Sequence, residues 1–219
     1  MSKRYGRREV LKGMSAACAA YLLPGQEGLS AQSLRVAGQE VEIQFGTVGA
    51  HTFRLSILPL KDGHVAAIPT DGSLVRTSWG EPVAKLRGAV HAQSVKCGDA
   101  AIEITNNPLT FVISTAIGKV QQFKVDEDTC VVSFETGDTP LLALGEGGPQ
   151  FDRRGSFDAM RSGQGGYELA THGGRVPIPW LIGSAGWAMF IHQPFGTFDF
   201  SGPESKFQPK DAGSALPLD

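Results

Sequence analysis

The stretch that decides the fold runs from Ala100 to Asp126 and reads AAIEITNNPLTFVISTAIGKVQQFKVD. Ile102 and Ile104 alternate with Glu103 and Thr105, which puts apolar side chains on one side of an extended chain and polar ones on the other. Asn106-Asn107-Pro108 interrupts this run. LTFVISTA and KVQQFKVD follow, and the acidic turn Asp126-Glu127-Asp128 closes the series. Short runs rich in Val, Ile, Phe and Thr, joined by turn residues instead of helices, are half-buried antiparallel strands.

The same pattern extends in both directions. Upstream, SLRVAG, EVEIQFG, HTFRLSILPL and GAVHAQSVKCG read as strands, with Val41, Ile43 and Phe45 set against Glu42 and Gln44. Downstream lies TCVVSFETG. No amphipathic helix follows the N-terminal segment, and no fixed-period repeat occurs. The expected fold is therefore an all-β antiparallel sandwich. Near Asp138 glycine density rises through GEGGPQFDRRG and RSGQGGYELATHGG, before RVPIPWLIG, GWAMFIHQ and GTFDFSG resume the strand pattern. Glycine-rich connections between strands are the usual place for functional loops. Leu142–Glu146 reads as the end of a strand, and 147–155 as a turn braced by Asp152, Arg153 and Arg154. The tail PESKFQPKDAGSALPLD reads as a polar linker.

A length of 219 residues suffices for one large domain or two small ones, either with a real core. A net charge of −2 gives no electrostatic reason to expect nucleic acid or an anionic membrane as partner. The N-terminus KRYGRREVLKGMSAACAAYLLPG is more specific. Its Arg7-Arg8 pair, Leu11-Lys12 and short apolar run resemble a bacterial twin-arginine export signal. Met14–Leu23 is too short for a stable membrane anchor. Cleavage after LSA would start the mature chain near Gln32, in the periplasm or outside the cell. The competing reading is an ordinary amphipathic N-terminal helix. Beyond this segment only Cys97 and Cys130 remain, which is no disulfide framework. One bridge and two buried free thiols are both open.

Several chemistries are excluded by spacing. Gly145 and Gly147 are followed by Gln150 where a dinucleotide fingerprint needs glycine, and no parallel βαβ pattern surrounds them. No Gly-Lys-Ser/Thr occurs for a phosphate loop and no Gly-x-Ser-x-Gly for a nucleophile elbow. His51, His64, His91, His172 and His192 lack metal-ligand spacing, so neither a metal nor a cofactor is expected. His51 and His91 read as structural strand histidines. Glu146, Asp152 and Asp158 could serve as general acid and base, with ion pairing or a solvated turn as the competing role.

The stretches LLALGEGGPQFDRRG, VPIPWLIGSAGWAMFIHQP and the LPLD terminus, in this order and spacing, resemble the N-terminal β-sandwich of glycoside hydrolase family 31. That family includes α-glucosidases and α-xylosidases. Its typical Gly-Leu-Gly-Glu stands here as Ala143-Leu144-Gly145-Glu146. Its Ile-Pro-aromatic strand is matched by Ile178-Pro179-Trp180, and its Gly-aromatic-apolar strand by Gly186–Phe190. The match is close from Pro140 to Pro194 and diffuse from Ser33 to Asp138. The resemblance implies a galactose mutarotase-like sandwich followed by a (β/α)8 barrel, which carries both catalytic aspartates of a retaining hydrolase of α-glycosides. It also implies a sandwich loop that helps to form the sugar-binding lip. Here that loop is 157–174, with Asp158, Arg161, Gln164, Tyr167 and His172 offering hydrogen bonds or a stacking face to the carbohydrate.

The expected organisation is an export signal over 1–31, a sandwich over 32–200 and a linker toward a barrel over 201–219. No catalytic residue is expected in this chain, which alone should be inactive. Two alternatives stand beside this reading. One is a free-standing carbohydrate-binding module using Trp79, Trp180, Trp187 and Tyr167. The other is an aldose mutarotase, with His172 and Glu168, or His192, as the acid–base pair.

Overall fold

The computed structural model describes residues 33–67, 74, 79–88, 92–148, 150–161, 175–193, 195–210 and 216–219. All lie in one compact unit, Ala31–Asp219. The expected export signal falls outside the described residues. In chain order the strands are β1 (Arg35–Val36), β2 (Gln39–Gly49), β3 (Thr52–Lys61), β4 (His64–Val65), β5 (Ala84–Leu86), β6 (Gln93–Cys97), β7 (Ala100–Thr105) and β8 (Leu109–Thr115). There follow β9 (Gly118–Val125), β10 (Val132–Glu135), β11 (Leu141–Glu146), β12 (Phe157–Ala159), β13 (Val176–Gly183), β14 (Trp187–Phe190), β15 (Gly196–Asp199) and β16 (Glu204–Pro209). No helix occurs among the described residues, and every strand pair is antiparallel. The all-β sandwich expected from the alternation is the observed architecture.

Three sheets build it. One holds β1–β5, with β2 and β3 as its long central pair. The second runs in the order β12-β15-β16-β10-β9-β8-β7-β6, and the third in the order β11-β13-β14. The period-two pattern sends Val41, Ile43 and Phe45 from the first sheet, and Ile102, Ile104, Leu109 and Phe111 from the second, into one core. Phe45 meets Phe111 with ring centroids 6.2 Å apart, which joins the first two sheets. Phe134 meets Trp187 edge-on at 6.2 Å, which joins the second sheet to the third. Trp187 is thus a core contact and not a platform open to sugar. Cys97 and Cys130 are free and buried, and burial is the main cause that pushes the Cys130 thiol up to about 11. Such thiols are poor nucleophiles at neutral pH.

Two sequence expectations need correction. His51 lies in the exposed turn between β2 and β3 and pairs with Asp99 at 2.5 Å, so it is not a strand histidine. More consequential is the tail. Glu204–Pro209 is no linker but an interior strand of the second sheet, between β15 and β10. Ser205, Phe207 and Pro209 point inward while Glu204, Lys206 and Gln208 face out. This is the same period two, hidden by a polar composition and a terminal proline.

The last four residues are also structural. Leu218 exchanges both backbone hydrogen bonds with Ile57 of β3, at 2.7 and 3.1 Å. The Asp219 side chain is buried. It accepts bonds from Arg54 Nε and Ser56 Oγ at 2.6 Å each and a further one from Arg54 Nη2, while His192 Nδ1 lies 3.4 Å away. The Arg54 guanidinium sits 4.9 Å from the Trp79 ring centroid, so Trp79 too is occupied by a protein contact. Asp219→Ala would leave Arg54 and Ser56 poorly satisfied, and should lower stability by about 2–4 kcal/mol, read from the urea midpoint. Asp219→Asn, which keeps one acceptor, should lose less.

Candidate functional site

The glycine-rich region begins with an unusual strand end. Ala143, Leu144 and Gly145 have φ values of 80°, 66° and 82°, so three successive residues of β11 are left-handed. L-residues with a β-carbon avoid this region because the carbon crowds the following carbonyl. The pairing shows the result: Ala143 lies opposite Leu181 but Gly145 lies opposite Pro177, so Ile178–Trp180 bulge out across from Leu144. Gly145 is required there, since a β-carbon would come within 2.0 Å of the Val176 carbonyl oxygen.

Residues 150–156 contain this strain. Arg153 is buried and its Nε and Nη2 donate to the Ala143 carbonyl at 3.0 and 2.7 Å. Its backbone N–H donates to Leu141 O at 2.8 Å, and Leu141 N–H donates to Asp152 Oδ1 at 3.1 Å. Gly148 lies over the guanidinium so closely that a β-carbon would stand 1.6 Å from Nη1. Arg154 pairs with Asp152 at 2.7 Å and donates to Asp138 O at 2.5 Å. Hydrogen bonding from the Arg154 guanidinium is the main reason that the Asp152 carboxyl is held down at about 2. The bracing role expected for Asp152, Arg153 and Arg154 is therefore seen atom by atom, and Asp152 is no general acid.

Residues 157–161 and Arg175, the described residues bordering 162–174, lie beside this turn. Asp158 was expected to meet sugar, yet it is fully buried and pairs with Arg175 Nη2 at 2.7 Å. It points inward because β12 pairs with β15 with Asp158 opposite Phe198, on the core side of the sheet. Arg175 Nη1 also donates to Glu146 O at 2.8 Å. Arg161 is exposed just beyond β12, and the Glu146 carboxylate is exposed at the end of β11. Gln164, Tyr167 and His172 lie outside the described residues. Arg175 escaped sequence reasoning altogether: the only cue was a basic residue directly before an apolar strand. His192 sits beside Asp219 and away from these residues' ion pairs, and no group of three metal-ligating side chains occurs among the described residues.

The outer face of the third sheet is bare and apolar. Val176, Ile178, Trp180 and Ile182 alternate outward along β13, with Trp180 42% exposed. Across from them, Phe190 pairs with Trp180 at 6.4 Å between centroids, and Ala188 and Leu142 flank Ile182.

These features define an all-β sandwich with a braced glycine-rich rim and an uncovered apolar sheet. Among solved structures the fold is similar to part of the GH31 dextranase of Flavobacterium johnsoniae, seen both as a mutant complexed with isomaltotriose and as a complex with glucose. Each match has a TM-score of 0.59 and 16% identity, and covers 78% of this chain but 23% of the dextranase chain. This chain thus spans less than a quarter of the length of the enzyme it resembles. No family model matches the sequence, and no curated protein matches it significantly.

The left-handed run gives a direct test. Ala143→Gly should stabilise the protein by about 0.5–1 kcal/mol, because glycine meets no steric cost at φ 80°. Gly145→Ala should cost about 3 kcal/mol or more, since it adds both a backbone penalty and a clash with Val176. Thermal melts of the two variants, moving in opposite directions, check both.

Proposed function

We propose that this chain is the accessory β-sandwich of an exported glycoside hydrolase that acts on α-glycosides. Its exposed third sheet docks against a (β/α)8 barrel, and its 157–174 segment contributes to the sugar-binding lip. Arg161, Gln164, Tyr167 and His172 are the sugar-facing residues in this reading. The observation that carries it is the apolar face of β13 and β14. A folded chain with Val176, Ile178, Trp180 and Ile182 in a row toward water, and Phe190 half-buried beside them, is built to be covered. The likeness to a dextranase in which such a sandwich is a minor part of the chain supports a large catalytic body as the cover.

Catalysis then belongs to that body. Of the rim carboxylates Glu146, Asp152 and Asp158, two are engaged, Asp152 with Arg154 and Asp158 with Arg175, which leaves the exposed Glu146 without a second open carboxylate among them. A retaining hydrolase needs two carboxyl groups about 5 Å apart across an open sugar site. The purified chain should therefore release no nitrophenol from nitrophenyl α-glucoside or α-xyloside above a buffer control, and robust turnover would refute this assignment. A free-standing carbohydrate-binding sandwich is the second reading, favoured by the exposed Trp180 ring. Its fluorescence should stay unchanged with millimolar isomaltotriose if the face is a protein-docking surface, and a saturable change would favour the second reading.

The proposed route out of the cell rests on Arg7-Arg8, Leu11-Lys12 and the apolar run after them. A reporter fused behind residues 1–32 should reach the periplasm of a bacterium with a twin-arginine pathway, and Arg7→Lys/Arg8→Lys should hold it in the cytoplasm. Export of both fusions alike would remove the twin-arginine assignment.

A further inference from the structure

The Asp158–Arg175 pair is the most deeply enclosed charge pair among the described residues, with both side chains at 0% exposure. It joins segments that share no strand ladder. Asp158 lies on β12, the three-residue edge of the second sheet, and Arg175 directly precedes β13 of the third. The same guanidinium holds the last carbonyl of β11, Glu146 O, at 2.8 Å, and touches Met160 Sδ at 3.8 Å. One planar group therefore fixes the end of β11, the end of β12 and the beginning of β13 together.

We infer that Asp158 and Arg175 are positioning residues, a clamp that sets the register between the second and third sheets at the rim, and are not there for stability. The physical ground is the weak net contribution of buried ion pairs. Desolvating both charges nearly offsets their attraction, so an apolar pair of similar volume stabilises about as well. What apolar side chains cannot supply is direction. A carboxylate oxygen and a backbone carbonyl must both lie in the plane of the fork, which fixes β12 and β11 relative to each other. Edge strand β12 pairs three residues with β15, and the backbone bonds that flank it, at Ser156 and Met160, run to the same β15 side, so none of them ties it to the third sheet. The inference is independent of any ligand and stands or falls apart from the carbohydrate reading.

The test uses the full chain with Asp158→Asn, Arg175→Lys and the double variant Asp158→Leu/Arg175→Met. Melting temperature and amide hydrogen exchange are both read. Asp158→Asn should melt about 5 °C lower or more, because a buried guanidinium loses its counter-charge. The double variant should regain most of that loss. Yet its amides in 157–160, in 145–146 and at Val176 and Ile178 should exchange at least about tenfold faster than wild type, with the first sheet unchanged. Arg175→Lys should show the same local acceleration, since a point charge cannot hold both acceptors at once. If the double variant melts as low as Asp158→Asn, the pair is a stabiliser and the clamp is wrong. Wild-type exchange at the rim in either the double or the Lys variant would overturn it equally.

Discussion

Arg153 donating two hydrogen bonds to the carbonyl of Ala143 is the interaction on which the rim depends. Without that grip, a strand with three successive left-handed residues would relax into ordinary pleat. The bulge opposite Leu144 and the close approach of Gly148 to the guanidinium are one arrangement seen from two sides. Its strain is small per residue and is contained by several bonds at once, as over-determined functional backbones require.

Arginine serves as an internal fastener at three separate places. Arg153 holds backbone, Arg175 holds a carboxylate and a backbone carbonyl, and Arg54 holds the Asp219 carboxylate while stacking on Trp79. Arg175 reaches across two sheets to Asp158, whereas Arg153 and Arg54 reinforce contacts that the backbone also makes, at Leu141 and at Ile57. A sandwich assembled from three sheets has seams where backbone groups of one sheet cannot reach those of the next. A long, planar, multiply donating side chain bridges such seams better than any other residue type.

The fold was legible because burial on one face writes a period of two into the sequence, as at Ile102, Ile104, Phe111 and Ile113. The class of fold and most strands followed from that alone. Glu204–Pro209 was missed although it alternates, since its inward set includes Ser205 and Pro209 and its outward set carries charge. The rim was half legible. Glycines and the Asp-Arg-Arg triplet announced a braced turn, and the family-like motif even marked Ala143 as standing where glycine is usual. The positive φ explains that preference. Asp158 was misread because a carboxylate in a glycine-rich stretch looks solvated. Its partner lies 17 residues on, and no local pattern links two residues that meet across sheets.

The prolines of β13 have a consequence for how the chain behaves with its apolar face exposed. Among the described residues β14 pairs with Trp180–Gly183, and no strand flanks the first half of β13 on that side. Pro179 turns its carbonyl to that flank, where Ile191 N–H donates to it at 3.0 Å, and Pro177, two residues away, faces the same side. Both positions lack the N–H that an incoming strand would need. Val176, Ile178 and Trp180 can therefore be displayed to a folded partner while the adjoining backbone is a poor template for edge-to-edge pairing. Apolar surface is kept on the side-chain face while pairing capacity is removed from the strand edge, so exposing that face does not by itself invite edge-to-edge aggregation.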